Sequence, residues 1–202
     1  MYIFGASGHG KVIAEIAENN GIAIDAFIDF DPNKKRIFDY PVIKNIPNDE
    51  QVELIISIGN NVIRKKIVKE NITFNYITLI HTRSFISKRA KVDKGAVVMA
   101  GVVINSDTII GKHCIINTNA SVDHDCLIGD FVHISPNVAL AGDVEVGEGT
   151  HIGIGTSVIQ GIKIGKWCTV GAGTVVIKNI PDGATVVGNP GRIIKIKEVS
   201  DL

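Results

Sequence analysis

From Ile86 onward an aliphatic residue returns at every sixth position, and the series continues without a slip to Val176. The position four residues after each of them is small or β-branched, as at Ala90 and Ala96. A period of six matches neither an α-helix nor a simple amphipathic strand, whose periods are about 3.6 and 2 residues. It is typical of a hexapeptide parallel β-helix, in which three hexads make one coil. The pattern therefore predicts that residues eighteen apart stack on successive coils, spaced by about 4.8 Å.

The first eighty residues follow a different pattern, in which short apolar runs alternate with segments of helical period. The apolar runs predict strands over residues 2–4, 24–28, 54–58 and 76–80. A helix is predicted around residues 12–17 and ends at Asn19-Asn20-Gly21, where glycine can adopt a left-handed conformation. This order predicts a Rossmann-like α/β domain over residues 1–80, with ligands at the carboxyl ends of its strands, and an all-β domain over 81–202.

A second helix is predicted after Asn60, which is a suitable N-cap residue. Amphipathic helices turn their apolar side to the core and their charged side to solvent. The apolar side here consists of Val62, Ile63, Ile67 and Val68. We therefore expect a solvated basic face made of Arg64, Lys65, Lys66 and Lys69.

Charge and cysteine content narrow the function classes. The 202 residues contain 21 Lys and Arg against 21 Asp and Glu, so no net field attracts the chain to nucleic acid or to an anionic membrane. The longest apolar runs are far shorter than a membrane span, and the first residues do not begin a signal peptide. Three cysteines cannot all pair, and each occupies an inward or corner position of a hexad. We expect a soluble cytoplasmic protein with structural cysteines.

Gly5-x-x-Gly8-x-Gly10 follows a predicted strand and precedes a predicted helix. Bare backbone and N-terminal N–H groups at such a turn can approach a phosphate. The order of glycines is not the G-x-G-x-x-G of dinucleotide-binding proteins, although Asp29 stands near the distance at which those proteins carry an acidic residue. A tight connection without a ligand is the alternative interpretation of this turn.

His124 is the histidine most suited to acid–base chemistry, because it lies between Asp123 and Asp125 at the third position of the Val122 hexad. Neighbouring carboxylates raise the pKa of a histidine and favour its use as a base near neutral pH. Gly142 follows eighteen residues later and should lie on the next coil at the same corner. A backbone N–H there could stabilise an oxyanion, although the sequence alone favours a glycine that only permits the turn.

The array of hexads, ending in Gly188-Asn189-Pro190-Gly191-Arg192, resembles the left-handed β-helix acyltransferases. The glycine-rich turn, the pair Ile28-Asp29 and the segment 58–67 are similar to those of bacterial UDP-amino-sugar N-acetyltransferases. This resemblance implies the left-handed coil and transfer of acetyl from acetyl-CoA to the 4-amine of a UDP-linked 4-amino-4,6-dideoxy sugar, on the route to bacillosamine and related glycan sugars. It also implies a homotrimer with the coenzyme between adjacent prisms and no metal.

The resemblance further implies roles for individual residues. His124 is the catalytic base, and Asp125 occupies the place of a carboxylate that assists the base, usually Glu in the family. The residues implied for the nucleotide sugar are Ser7, Gly8, His9, Asp29, Phe30 and Gly59. Those implied for acetyl-CoA are His133, Ile154 and Ala172, to which the stacking argument adds Gly142.

Other functions stay open from sequence alone. Sialic acid O-acetyltransferases share this build, and a GDP-linked amino sugar is a further acceptor. The γ-type carbonic anhydrases hold zinc with three histidines, for which His124, His133 and His151 are candidates, but no two histidines here stand five residues apart as they do there. A non-enzymatic sugar-nucleotide binder is the last alternative. The front domain favours the UDP-amino sugar.

Overall fold

The computed structural model describes residues 1–45, 47, 52–71 and 73–199. The final residues of the domain predicted over 81–202, and a few of that predicted over 1–80, lie outside the described residues. Within the part that is described, no helix is long and apolar enough to cross a membrane.

The N-terminal region is a six-stranded sheet with a helix after its first and fifth strands. The strands follow the order β3-β4-β2-β1-β5-β6, and β1 pairs in parallel with β2 and β5. Its apolar residues fill the space between sheet and helices, so Ile3, Phe27 and Ile55 are fully buried. The bounds are β1 (Tyr2–Phe4), α1 (Gly8–Asn19), β2 (Ala26–Ile28), β3 (Arg36–Ile37), β4 (Tyr40–Ile43), β5 (Glu53–Ile56), α2 (Asn61–Glu70) and β6 (Asn75–Tyr76).

Two features of this region differ from the sequence prediction. The antiparallel hairpin β3–β4 was missed, because its first strand has two residues and its turn at Phe38 has no glycine, although the φ of Phe38 is 51°. The strand predicted over 76–80 is two strands. β6 completes the N-terminal sheet, whereas β7 (Leu79–Ile80) pairs with β10 (Val97–Val98) and begins the β-helix.

Short strands from β7 to β24 form a parallel β-solenoid with three faces. The first face consists of β7, β10, β13 (Ile115–Ile116), β16 (His133–Ile134), β19 (His151–Ile152), β22 (Thr169–Val170) and β24 (Ala184–Val187), extended by the antiparallel β25 (Arg192–Ile196). The second face consists of β8 (Phe85–Ile86), β11 (Val103–Ile104), β14 (Ser121–Val122), β17 (Ala139–Leu140), β20 (Ser157–Val158) and β23 (Val175–Val176). The third face consists of β9 (Lys91–Val92), β12 (Ile109–Ile110), β15 (Leu127–Ile128), β18 (Glu145–Val146) and β21 (Lys163–Ile164).

The predicted stacking distance of eighteen residues is confirmed by the strand register. Ile116 pairs with Ile134, and His133 pairs with His151. The aliphatic side chains fill the prism, and all three cysteines are buried. The fold class predicted from sequence, a small α/β domain followed by a hexapeptide β-helix, is confirmed. The division at residues 80 and 81 stays a prediction, since the ladder itself begins at β7.

The corners of the prism require an unusual backbone. Every sixth residue from Gly95 to Gly173 has a positive φ. Most of these residues are Gly, Asn or Asp, which tolerate the left-handed conformation. Where the chain passes from the third face to the first, three of these positions instead carry His113, Phe131 and Trp167, and the other two are Gly95 and Gly149.

The last coil is shorter than the others. Ile180 forms a bridge with Ile164, and Val186 pairs with Val170, so both partners stand sixteen residues apart rather than eighteen. The sequence pattern placed Ile180 at the corner slot four residues after Val176. It takes an inward strand position instead, because two residues are missing from the repeat there.

Helix α2 packs against the corner between the third and first faces, and its buried side agrees only in part with the predicted one, at Ile67 and the half-buried Val68. Asn61, Arg64 and Ile67 are buried, whereas Val62 and Ile63 are exposed. The prediction that Arg64 belongs to a solvated basic face is therefore wrong. At this corner the backbone carbonyls of His113 and Gly149 accept hydrogen bonds from Arg64 and Asn61, so polar side chains make the contact.

Candidate active site

The glycine-rich turn between β1 and α1 is tightly packed. Gly5 has a φ of 112°, and a Cβ there would lie 2.7 Å from both Ser57 Oγ and Ile58 Cδ1. A Cβ on Gly10 would lie 2.6 Å from the Gly5 carbonyl oxygen. Gly8, in contrast, has open space where a side chain would stand. The first turn of α1, beginning at Ser7 and Gly8, is thus open to a ligand at the carboxyl edge of the sheet.

Asp29 holds this turn in place. Its carboxylate accepts hydrogen bonds from the Ala6 N–H at 2.8 Å, the Asp31 N–H at 3.0 Å and the Lys34 ammonium at 2.8 Å. Burial raises the pKa of Asp29, but these hydrogen bonds, led by that from Lys34, outweigh it and leave the pKa lowered. Asp29 is therefore an ionised clamp on the β1–α1 turn.

A mainly apolar cavity of about 530 Å³ adjoins Asp29 between the sheet edge and α2. Phe30 is 64% exposed at its rim, and its ring meets the edge of Phe4 at a centroid distance of 5.8 Å. Ile63, which the periodicity placed in the core, lines this cavity. A flat apolar ligand group could pack here, and the exposed Phe30 offers it a stacking surface.

Three histidines gather where the N-terminal region meets the first face. The rings of His133 and His151 stack with their centroids 4.8 Å apart. His133 Nδ1 lies 3.4 Å from the Gly59 carbonyl oxygen. Burial, with a smaller contribution from His151, lowers the pKa of His133 to about 3. Burial and the charge of Arg64 lower the pKa of His9 to about 4. These imidazoles are neutral near pH 7 and can act as hydrogen-bonding groups toward a ligand.

Two polar residues that sequence reasoning missed support this cluster. Asn117 Nδ2 lies 3.3 Å from His133 Nε2, and Ser135 Oγ lies 2.8 Å from His151 Nε2. Asn117 and Ser135 are themselves eighteen residues apart, each directly after a strand of the first face. Asn117 and Ser135 could have been predicted from the same eighteen-residue period that relates His133 to His151.

His124 lies at the corner between the second and third faces. Its Nδ1 is 2.8 Å from Asp125 Oδ2, and its backbone N–H donates to Asp123 Oδ1 at 2.8 Å. The hydrogen bond to Asp125, followed by the charge of Asp123, raises the pKa of His124. Asp123 also accepts from Asn105 Nδ2 at 2.8 Å, which fixes its carboxylate. With Nδ1 engaged by Asp125, Nε2 is the nitrogen left to accept a proton.

Gly142 lies against the ring of His124, as the stacking argument predicted for the same corner. A Cβ on Gly142 would lie 2.5 Å from His124 Cε1 and 2.6 Å from Nε2. The glycine therefore provides the space in which the imidazole lies. This spatial role was not foreseen from sequence, where Gly142 was assigned only a backbone N–H or a turn.

The residues implied by the resemblance are spread over three corners of one chain. His9, Gly59 and His133 come together, near Ser7 and Gly8, at the docked α/β region. His124, Asp125 and Gly142 share the corner between the second and third faces. Ile154 and Ala172 lie at the corner between the first and second faces. Among the described residues, no group of three or more His, Cys, Asp or Glu side chains is arranged to hold a metal ion.

The fold is a hexapeptide-repeat β-helix with an added α/β domain. Residues 1–71 match the PglD N-terminal domain family, and residues 143–178 match the bacterial transferase hexapeptide (six repeats) family. The UDP-N-acetylbacillosamine N-acetyltransferase of Bacillus subtilis is 41% identical over 112 residues, which cover 48% of this chain and 50% of that protein. The match thus spans about half the length of this curated relative.

Solved structures extend the likeness to nearly the whole chain. The acetyltransferase domain of PglB from Neisseria gonorrhoeae is 38% identical, with a TM-score of 0.91 over 96% of this chain and 98% of that one. It is also known in complex with acetyl coenzyme A. A variant of GDP-perosamine N-acetyl transferase from Caulobacter crescentus, in complex with CoA and GDP-perosamine, is 35% identical, with a TM-score of 0.89 and 96% of each chain covered. The chain therefore belongs to the family of acetyl-CoA-dependent sugar N-acetyltransferases, as its motifs predicted.

Proposed function

We propose that this protein transfers an acetyl group from acetyl-CoA to the 4-amine of a UDP-linked amino-deoxysugar, with His124 as general base. The observation that carries the proposal is the pair His124–Asp125, at 2.8 Å and with the pKa of the histidine raised, on an exposed corner of the β-helix. The glycine-rich turn at Ser7 and Gly8, and the cavity beside Asp29 and Phe30, support binding of a sugar nucleotide.

In the proposed reaction the sugar amine attacks the acetyl carbonyl directly. A bond forms between the amine nitrogen and the carbonyl carbon, while the carbon–sulfur bond of the thioester breaks. His124 Nε2 takes the proton that the amine loses, and the proton passes to the departing CoA thiolate. No acetyl-enzyme forms. A general base contributes a factor of about 10² to 10⁴ to such a step.

Asp125 holds the proton on His124 Nδ1 and stabilises the imidazolium that forms on Nε2 protonation. The shorter Asp reaches the ring without the additional methylene of Glu, since the two groups already lie 2.8 Å apart. A backbone N–H near Gly142 stabilises the negative charge on the thioester oxygen. His133, Ile154 and Ala172 contact acetyl-CoA.

We further propose that the working enzyme is a homotrimer. The docked α/β region and His124 occupy different corners of the same prism. A neighbouring copy can bring its own His124 corner to the sugar bound on the first chain. Light scattering should therefore give three times the mass of one chain, and a monomeric mass would contradict the proposal.

The acceptor is tested by CoA thiol release from acetyl-CoA with three acceptors in parallel: a UDP-4-amino-4,6-dideoxy sugar, a GDP-linked 4-amino sugar and free sialic acid. Release with the UDP-linked amine, lost in a folded His124→Ala variant, is the expected result. Preference for the GDP-linked sugar would place the chain with its relative that was solved with GDP-perosamine. Release only with sialic acid would make it an O-acetyltransferase. No release with any of them would refute the proposed activity.

A further inference from the structure

Arg64 is almost completely buried from solvent. Its side chain is 1% exposed, and burial lowers the pKa of its guanidinium to about 10, so the group stays charged near pH 7. Its hydrogen bonds go to backbone carbonyls and to one side-chain amide oxygen. Burial of a charged group is costly unless its hydrogen-bond donors are satisfied, and these acceptors satisfy those of Arg64.

One side of the guanidinium binds the loop over residues 57–60, here called the Gly59 loop, which joins β5 to α2. Nη1 donates to the Ile58 carbonyl at 2.8 Å and to the Gly59 carbonyl at 3.4 Å. The same Gly59 carbonyl lies 3.4 Å from His133 Nδ1. The direction of this carbonyl is therefore set from two sides.

The other side of the guanidinium binds the β-helix. Nε donates to the His113 carbonyl at 2.8 Å, and Nη2 donates to the Phe131 carbonyl at 2.7 Å. Nη2 also bonds Asn61 Oδ1 at 2.8 Å, and Asn61 Nδ2 in turn donates to the Gly149 carbonyl at 2.9 Å. Asn61 and Arg64, one helical turn apart on α2, thus bind three successive coils at one corner.

We propose that Arg64 is a positioning residue, which fixes the Gly59 loop against the corner of the β-helix and so sets where the bound sugar nucleotide lies relative to the coils. This inference rests on the proposed function, and on the contact between Gly59 and the nucleotide sugar that the family resemblance implies. The planar guanidinium has donors in fixed directions and can serve both sides at once, whereas a lysine ammonium is a single point.

The test compares Arg64→Met with Lys69→Met. Lys69 lies on the same helix, but it is exposed, so its variant loses the same charge without loss of the contacts. A displacement of about 1 Å in a bound substrate can cost about 10²-fold in rate. We expect Arg64→Met to raise the KM for the nucleotide sugar and lower kcat/KM by about that factor. The KM for acetyl-CoA should change much less, because Ile154 and Ala172 lie at another corner and only His133 adjoins the Gly59 loop. Lys69→Met should match wild type throughout.

A purely structural arginine would behave differently. Its loss would lower the folded fraction, and hence kcat, while the KM values for both substrates stayed constant. The two kcat/KM values would then fall by the same factor. That result, or wild-type kinetics in folded Arg64→Met, would overturn the proposal. If Arg64→Met does not fold, Arg64→Lys takes its place, with the same rise in nucleotide-sugar KM expected because one ammonium cannot satisfy both sides.

Amide hydrogen exchange tests the inference without any substrate. Exchange in the Gly59 loop and the first turn of α2 should accelerate in Arg64→Met or Arg64→Lys, while the β-helix interior stays protected and Lys69→Met is unaffected. Uniform acceleration across both regions would contradict the positioning role. If the wild-type chain acetylates none of the acceptors, the proposed function fails, and the exchange pattern still decides whether Arg64 positions the loop.

Discussion

Substitution of Gly142 by alanine should separate catalysis from stability in this protein. The new Cβ would lie 2.5 Å from His124 Cε1 and 2.6 Å from Nε2, whereas ordinary contacts begin near 3.4 Å. The imidazole must therefore move by about 1 Å, a displacement that costs about 10²-fold in comparable positioned reactions. The backbone N–H of residue 142 is retained in the variant.

The same geometry predicts a small effect on folding. Gly142 is not among the residues with a positive φ, so alanine fits the backbone there. The side chain of His124 is 59% exposed, so its ring can rotate into solvent without opening a cavity. Exposed changes of this kind alter stability by about 0.5 kcal/mol or less. The melting temperature should therefore stay close to that of wild type.

The assay is steady-state CoA release by wild type, Gly142→Ala, His124→Ala and the double variant. We expect kcat to fall about 10²-fold in Gly142→Ala. The double variant should be no slower than His124→Ala, because the alanine at 142 acts through the histidine. A further loss in the double variant would mean that residue 142 touches the substrate instead. Unchanged kcat in Gly142→Ala would refute the argument that the ring position matters.

Three other predictions follow from single contacts. Asp125→Asn removes the main cause of the raised pKa of His124, so the acidic limb of the kcat/KM profile, where the base becomes protonated, should move to lower pH; a shift to higher pH would be inconsistent with the assigned base. Ile116→Ala, in the fully buried prism interior, should lower the free energy of unfolding by about 2 to 5 kcal/mol in a denaturant titration, and a loss well under 1 kcal/mol would show the interior to be loosely packed. Gly5→Ala should abolish protection by UDP against thermal unfolding, because its Cβ would meet Ser57 and its φ of 112° disfavours alanine, and retained protection would exclude this turn from the nucleotide site.

The β-helix could be predicted from sequence because its order is local and repeated. One aliphatic residue in each hexad fixes which side chain points inward, and the repeat fixes the strand register. His133 over His151, and Gly142 under His124, follow directly. Where the repeat is interrupted, the predicted position was wrong, as for Ile180, which takes an inward position after a shortened coil.

Helix α2 shows why the docking of the two regions could not be predicted in the same way. Periodicity assigns apolar residues to the buried side, which holds where the partner surface is apolar. Ile67 packs in the apolar core of the N-terminal sheet, as periodicity expects. Towards the β-helix, however, α2 meets backbone carbonyls at a corner of the prism, so Asn61 and Arg64 are buried while Val62 and Ile63 are exposed. The sequence of the helix does not reveal whether the surface on which it docks is polar or apolar.

By itself, the sequence determined the coil, its stacking period, the acid-flanked His124 and the glycine-rich turn, because each depends on residues close in the chain or a fixed number of positions apart. Only the tertiary structure decided that Gly142 provides space for the imidazole. It also decided that Arg64 joins the Gly59 loop to successive coils, and that His124 lies on a different corner from the docked α/β region. These facts depend on side-chain directions and on contacts between distant segments, which the pattern of hydrophobic and polar positions does not encode.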